Sequence, residues 1–488
     1  MKILSILATS LVLVMTAVSA QCEVGDTLWT HFYGGFNNDC VTAIDRTADG
    51  GFIIAGWTTS FGNGSSDFYL IRVDASGETL WTRTYGGQDD DAALSARVTR
   101  GGGIIMAGWT KSYGIGGTDI YLVKTDSNGN QLWDHTYGGT LDDTARCIRQ
   151  TTDGGYIICG STCSFGSDSG AFDIYVIKTD SSGDTAWTYT YGGILNDGAS
   201  GICQTTDSNF VLTGWTATPD GNHNIYIEKI DQSGQSMWYW GYAAGIDCQG
   251  NSIVETPDGN AVIAGYTFDP QMALQCYLAE IGPYGIPQWS QNYGGSHHEL
   301  GYYVSKTNDN GFIIAGSRWI SFFPDTTRFY LVKTDSAGNP QWDRAYGFGL
   351  MDEGACVTPT ADGHYLFAGN SNLIGIGTYD ICLVKVKGSA MLIDDDISEM
   401  PKSFSIDGNY PNPFNNQTLI KYDMSADGDV KLEIFNVLGQ RMTTLVDGYQ
   451  KAGTHQVNWN ASGCRSGIYF CKAQTGRSIE TIRMLLLK

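Results

Sequence analysis

The chain has 488 residues, a formal net charge of −22, an apolar share of 42% and 63 glycines. That apolar share excludes a largely disordered chain, and glycines without a three-residue period exclude collagen. From Ser403 onward nine Lys/Arg stand against seven Asp/Glu, which leaves −24 on the rest. So acidic a body repels phosphate backbones and argues against nucleic acid as a partner.

Residues 1–20 read as a secretory signal peptide: Lys2, an apolar run from Ile3 to Val18, then Val-Ser-Ala. Cys22 suggests a lipoprotein, but Gln21 stands where a small residue precedes a lipidated cysteine. No later segment is apolar over a bilayer's width, so the mature chain is expected to have no transmembrane anchor. Twelve cysteines in an exported chain raise the expectation of disulfides, Cys464 with Cys471 first, then Cys159/Cys163 and Cys147/Cys203. No Cys-x-x-Cys or Cys/His cluster points to a metal.

From residue 21 a Trp-x-x-x-Tyr pair recurs at Trp29/Tyr33, Trp81/Tyr85, Trp133/Tyr137, Trp187/Tyr191, Trp238/Tyr242, Trp289/Tyr293 and Trp342/Tyr346. Successive tyrosines are 52, 52, 54, 51, 51 and 53 residues apart, which is the signature of a repeat architecture. The third unit shows its plan: short runs at Ala145–Thr151, Gly155–Ser161, Asp173–Lys178 and Thr185–Tyr191, rich in β-branched and aromatic residues and bounded by Gly, Asp or Ser. The middle runs are apolar on consecutive residues, so they must be covered on both faces. Four antiparallel strands per unit, stacked face to face about an axis, meet that demand, and the fold class expected is all-β, a β-propeller.

The last unit ends near Lys387 after three strands. Gly25–Tyr33, GDTLWTHFY, parallels Gly77–Tyr85, GETLWTRTY, yet has no strands before it. An N-terminal strand that completes the last blade would close seven blades and remove two sheet edges. The TxDGG and DSSG turns then share one end. The second-to-third-strand loops and the YGG crossings share the other, and those loops vary most, at Ser60, Ser164, Ala217 and Arg318. Variable loops on a rigid scaffold make that end the candidate working face.

On its YGG crossing, DGG turn and Asp-x-Tyr-x-x-Lys strand, residues 21–388 resemble the seven-bladed propeller repeat of exported bacterial proteins. The Asp-x-x-Gly-x-x-x-Trp strand is similar to that of quinoprotein propellers, whose eight-blade ring and cofactor site are not evident. It differs from the sialidase Asp box by one residue in each spacing.

Residues 389–402, with Asp394-Asp395-Asp396, read as an acidic linker. Residues 403–488 hold short alternating strands at Thr418–Tyr422, Val430–Phe435, His455–Trp459, Gly467–Ala473 and Ser478–Leu487, a small sandwich of immunoglobulin-like length. The motifs are Tyr410, Pro411, Asn412, Pro413, Phe414, Asn415, then NVLGQRM with Gly439, then Gly467 and Tyr469 in SGIYF, and a final RMLLLK. This segment resembles the C-terminal sorting domain of type IX secretion cargo and the Ig-like domain of flagellar hook-capping proteins. The resemblance implies the type IX machinery as partner, passage across a Gram-negative outer membrane, and a secreted or surface location.

Two sets of site residues stand out. Six residues after each YGG tyrosine come Asp39, Asp91, Asp143, Asp197, Cys248, Glu299 and Asp352. Carboxylates that open the first strands could ring a channel mouth and hold calcium, or accept hydrogen bonds from their own loops. Trp57, Trp109, Trp215 and Tyr266 end the second strands, with Trp319 two residues later in its unit. They could stack on a sugar or pack between blades. The repeat tryptophans are expected in the core. Enzyme signals are thin: the seven histidines share no repeat position, and there is no nucleophile elbow or phosphate loop. The leading expectation is a non-enzymatic module that binds a surface glycan or protein. A secreted carbohydrate-active enzyme and a structural envelope component are the alternatives.

Overall fold

The computed structural model describes residues 26–488 apart from 167–169, 270–272, 296, 323–324, 373–378, 389–403, 425–426, 437–439 and 476–477. The expected signal peptide, Cys22, Gly25, the acidic linker and Gly439 lie outside the described residues. The chain divides into two compact units, Met1–Ala390 and Met391–Lys488. All regular structure described is β-strand.

In the first unit the strands form seven four-stranded antiparallel sheets. The first sheet takes Asp39–Arg46, Phe52–Thr58, Asp67–Val73 and Thr79–Tyr85 in sequence order, and the next five follow the same plan. The seventh takes Asp352–Pro359, Tyr365–Ser371 and Asp380–Val386, and its fourth strand is Thr27–Tyr33 from the other end of the chain. That strand pairs antiparallel with Asp380–Val386, Tyr33 opposite Ile381 and His31 opposite Leu383.

The apolar second and third strands are covered on both sides, because each hydrophobic cluster draws on two successive sheets. Ile105, Leu122, Ile148 and Ile177 join the second sheet to the third. Val41, Ile54 and Ile71 of the first sheet join Cys356, Leu366 and Leu383 of the seventh. Seven clusters thus serve seven junctions, including the one between last and first. The first strands of the sheets, Asp39–Arg46, Asp91–Val98, Asp143–Gln150, Asp197–Gln204, Asp247–Glu255, His298–Lys306 and Asp352–Pro359, touch one another in the same closed succession.

The repeat tryptophans are only half-buried, contrary to the expectation of core positions. They lie on the outermost strands, where one face rests on the next sheet's turn: Trp187 and Trp238 donate from Nε1 to the carbonyls of Gln232 and Pro283 at 3.0 and 2.8 Å. An edge strand has too little cover to bury an indole completely.

The second unit pairs Phe404–Tyr410, Gln417–Met424 and Gly453–Asn460 in one sheet. The other sheet holds Arg441–Gln450, Gly428–Asn436, Gly467–Thr475 and Ser478–Leu486. Between them lie Phe414, Ile420, Leu432, Ile434, Trp459, Cys471 and Met484. Phe404–Tyr410 and Arg441–Gln450 are strands beyond the five expected. Arg441–Gln450 is half-exposed or exposed throughout, so it lacks the apolar alternation that marks a strand in sequence.

Candidate functional site

The YGG crossing has a separate job for each residue. In six of the seven outermost strands the tyrosine hydroxyl at the end donates to a glycine carbonyl in the next sheet's third-to-fourth-strand turn, among them Tyr33 to Gly77 at 2.6 Å, Tyr85 to Gly129 at 2.6 Å and Tyr293 to Gly338 at 2.6 Å. A Cβ on Gly86 would collide with the carboxylates of Asp67 and Asp91, and Gly138 stands in the same way between Asp119 and Asp143. A Cβ on Gly87 or Gly139 would strike Ser112 or Ser164.

Asp39, Asp91, Asp143, Asp197, Glu299 and Asp352 are all 0% exposed, each turned into the crossing of its own unit. Asp39 accepts from the Gly35 amide at 2.6 Å and the Ser60 hydroxyl at 2.7 Å, and also from the Thr58 hydroxyl. Gly87 N–H and Ser112 do the same for Asp91, both at 2.7 Å. Glu299 takes Arg318 Nε at 3.0 Å instead. One oxygen of Asp91, Asp197 and Glu299 is buried without a hydrogen bond. Among the described residues no three His, Cys, Asp or Glu side chains come together to hold a metal. The acids do meet in pairs across the crossings, Asp67 with Asp91, Asp119 with Asp143, Asp380 with Asp39. Burial and Asp39 push the Asp380 carboxyl up to about 6, and burial and Asp143 raise that of Asp119.

Trp57, Trp109, Trp215, Tyr266 and Trp319 are half-buried, one in each of five sheets. Trp109 carries the Lys111 ammonium 5.6 Å above its ring, and Trp215 meets His223 edge-on at 4.9 Å. Tyr266 donates to Gln249 Oε1 at 3.3 Å, and Trp319 lies 6.3 Å from His298. A polar cavity of about 380 Å³ opens between the first and second sheets, lined by Asp67, Tyr113, Tyr121, Gln131 and Asp134.

Sequence reasoning missed another feature. Every first strand carries a β-bulge at the same place, which leaves one residue out of the ladder: Thr42, Leu94, Arg146, Ser200, Asn251, Tyr302 and Ala355. A bulge re-aims the side chain it carries, and all seven remain at least partly exposed. The signal was present: the residue nine after each repeat tyrosine differs in every unit of an otherwise repetitive chain. Further along the first strands, Arg97 Nη2 donates to Tyr303 Oη at 2.8 Å, from the second sheet to the sixth. Burial pulls the Arg97 guanidinium down, but Tyr303 and Asp45 more than offset it and hold it above its ordinary value.

All eleven described cysteines are free, so the expected disulfides are not found. Cys159 and Cys163 lie four residues apart on one extended stretch, roughly 13 Å, beyond the ~7 Å a disulfide spans. Cys147 stands opposite Cys159 in the ladder, and its Sγ lies 3.9 Å from the Ile202 carbonyl, next to a Cys203 that is itself free. Cys471 is buried between Ile434 and Ile482 within its sheet, whereas Cys464 sits in a turn closed by its amide on the Ala461 carbonyl at 2.9 Å.

In the second unit the YPNPFN motif folds onto the last strand. Phe414 exchanges backbone hydrogen bonds with Leu485 and Leu487 at 2.9 and 2.8 Å, and Asn412 Oδ1 accepts from the Leu485 amide at 2.9 Å. The Phe414 ring packs on Trp459 at 5.3 Å, and Trp459 on Tyr469 at 5.2 Å. Tyr469 donates to the Arg465 carbonyl at 2.8 Å, past Gly467. Tyr410, Pro411, Pro413 and Asn415 face solvent.

Residues 409–488 match the family model described as Secretion system C-terminal sorting domain. The Regulatory protein FlaEY of Caulobacter vibrioides is 27% identical over 162 residues, 28% of this chain and 17% of that protein's length. Among solved structures, PorZ of Porphyromonas gingivalis, described as an essential surface component of the type-IX secretion system, is 11% identical. That match covers 93% of this chain and 60% of PorZ at a TM-score of 0.40. The polysaccharide lyase Uly1 is 10% identical over 73% of this chain and 92% of its own, at 0.46. Sqt1 of Chaetomium thermophilum is 11% identical over 81% and 96%, at 0.43. Among the described residues no helix is long and apolar enough to cross a membrane. With the motif residues packed as one folded address, residues 409–488 belong to the secretion system C-terminal sorting domains, and the chain is cargo of the type IX system, exported to the cell surface or secreted.

Proposed function

We propose that residues 21–388 form a seven-bladed β-propeller closed by the N-terminal strand, and that this propeller binds a surface glycan or protein without acting on it. Residues 1–20 would direct the first export step, and residues 403–488, an Ig-like sandwich in this reading, the second. The observation that carries the binding role is the contrast between repetition and variety. The Tyr, Gly and Asp of most crossings recur with the same hydrogen bonds, as at Tyr33/Asp39 and Tyr85/Asp91, while the bulge residue and the second-to-third-strand loop differ from unit to unit. A scaffold that holds its frame constant and varies what it presents at one end is built for recognition. Trp57, Trp109, Trp215, Tyr266 and Trp319 lie toward that end and would supply stacking surface.

The cavity between the first two sheets favours the second reading, a carbohydrate-active enzyme, since it places the carboxylates of Asp67 and Asp134 in one polar space. Against it, Asp67 accepts from the amides of Asn63 and Gly64, and Asp134 from Gln131 and Tyr121, so both acids already serve the structure. A glycan array with the full chain, followed by a polysaccharide degradation assay on every hit, tests the proposal. Binding without depolymerised product supports it, and product from any bound polysaccharide replaces it with the enzyme.

A further inference from the structure

The seven bulge residues are the place where this repeat stops repeating. They stand three residues past the position that holds the opening acid in six of the seven first strands, roughly 10 Å along the strand at ~3.3 Å per residue. The first strands touch in closed succession, so side chains turned out of their ladders face one shared interior. The Arg97–Tyr303 hydrogen bond shows how narrow that interior is, because it bridges the second and sixth sheets directly. Arg97 stands another three residues along, roughly 10 Å deeper. The first strands therefore ring a central channel, lined by the bulge residues and crossed by the Arg97–Tyr303 hydrogen bond.

Six of those wall residues are uncharged, and the seventh is Arg146. It is exposed to water, yet the protein around it pushes its guanidinium below its ordinary value, a combination that suits a side chain inside a water-filled channel. Among the described residues no carboxylate forms an ion pair with it. An exposed guanidinium without a counter-charge is an open anion site, and its planar fork matches a carboxylate in two hydrogen bonds. Ser200 stands on the neighbouring strand. Asn251, whose amide donates to the Gly301 carbonyl at 2.8 Å, keeps its own oxygen free to accept. One residue past the opening acid of the seventh unit, the exposed Glu353 offers acceptors for hydroxyl groups.

We infer that this channel binds a small carboxylate-bearing polyol, a sugar acid of the uronate kind, with its carboxylate on Arg146 and its hydroxyls toward Ser200, Asn251 and Glu353. The inference rests on the propeller reading above and gives that binding module a ligand class and a residue. Its test uses the full chain with ¹⁵N-labelled arginine and three probes: glucuronate, glucose as the neutral sugar and inorganic sulfate as the bare anion. The Arg146 Nε–Hε resonance, assigned by its loss in Arg146→Gln, shifts with glucuronate and not with glucose. Calorimetry shows Arg146→Gln binding glucuronate about tenfold or more weakly, the scale of a lost charged hydrogen bond. Arg83→Gln, on an exposed outer strand, leaves the affinity unchanged. No shift with glucuronate, equal binding by glucose, or equal affinity in Arg146→Gln overturns the inference, and sulfate binding as tightly as glucuronate overturns the sugar-acid assignment. A glycan-array hit that survives Arg146→Gln leaves the binding module standing without this site.

Discussion

Tyr346 donates its phenolic hydrogen to Asp26 at 2.9 Å across 320 residues of sequence, and Arg344 pairs with the same carboxylate. In the earlier units the equivalent tyrosine reaches a glycine carbonyl in the next sheet's last turn. Asp26 lies where that turn meets the N-terminal strand, so the seventh junction keeps the tyrosine contact but gives it a charged acceptor. Both groups are buried. The first unit thus fastens its last sheets to its N-terminal strand with the device it uses between neighbours.

Removing that hydroxyl should loosen the closure without disturbing the packing beneath it. Tyr346→Phe leaves the ring against Phe367, 5.2 Å away, and loses a hydrogen bond to a charged group, about 1.5–3 kcal/mol. Tyr242→Phe loses only a neutral acceptor, Gly285, and about 0.5–1.5 kcal/mol. Urea denaturation of both variants should place Tyr346→Phe lower. Equal midpoints would mean that the end-to-end contact is no stronger than any other junction.

How much of this was legible follows from what repeats. The tyrosine period and the paired apolar strands recur, so strand count, order and the N-terminal strand's place were readable from GDTLWTHFY beside GETLWTRTY. The acid at the head of each first strand was visible as well, but its burial was not, because that depends on the Ser60-type hydroxyl some 21 residues away closing over it. The bulge stayed hidden since an unpaired residue leaves no compositional mark in one strand and shows only when the units are compared. Arg441–Gln450 escaped for the opposite reason: it is paired, but too exposed to carry an apolar pattern.

The second unit breaks a pattern that most others keep. The aspartate of the DGG turn pairs with the long cation that ends the third strand: Asp49 with Arg72, Asp153 with Lys178, Asp207 with Lys229, Asp309 with Lys333, Asp362 with Lys385. Where TADGG becomes TRGGG, Gly101 replaces the acid, and Lys124 is left with the Thr125 carbonyl at 2.8 Å and the Thr99 hydroxyl at 3.4 Å. Burial lowers its pKa. A Cβ at Gly101 meets nothing within 4 Å, so Gly101→Asp should restore the pair and reduce chain entropy, a gain of about 1–2 kcal/mol. The rise in melting temperature should shrink as pH falls from about 4 toward about 2, the value to which the same pairing holds Asp153. A neutral or destabilising result would show that the turn has adapted to its glycines.

The Asp380 carboxyl, which faces Asp39 across the crossing, sets a pH dependence. Asp380 titrates near 6 when folded because it is buried and faces Asp39, against about 3.9 in an unfolded chain. A raised folded pKa means that the protonated form favours folding. Its contribution is present below about pH 4 and is lost as pH rises through about 6. Asp380→Asn should therefore raise the melting temperature at pH 8, on the order of 1–3 °C, and have little effect at pH 4. Millimolar calcium held between the carboxylates would raise the wild-type value at pH 8 and leave Asp380→Asn unmoved. Melting curves at both pH values, with and without calcium, separate the two, and a difference that ignores pH removes the carboxylate repulsion altogether.

The sorting unit allows stability and address to be tested apart. Phe414 is 2% exposed and joins the last strand to Trp459 through both backbone and ring. Phe414→Ala opens a cavity at the centre of the sandwich and should destabilise it by about 3–5 kcal/mol. Asn415 and Pro413, one residue to either side, face solvent, so Asn415→Ala and Pro413→Ala should leave the melting of the unit nearly unchanged. If the machinery recognises the folded address, Phe414→Ala should retain the cargo inside the outer membrane and the paired surface variants should show whether this exposed edge is what it touches. Normal export of Phe414→Ala, with its second unit shown unfolded by proteolysis, would mean that the linear motif and not the fold is read.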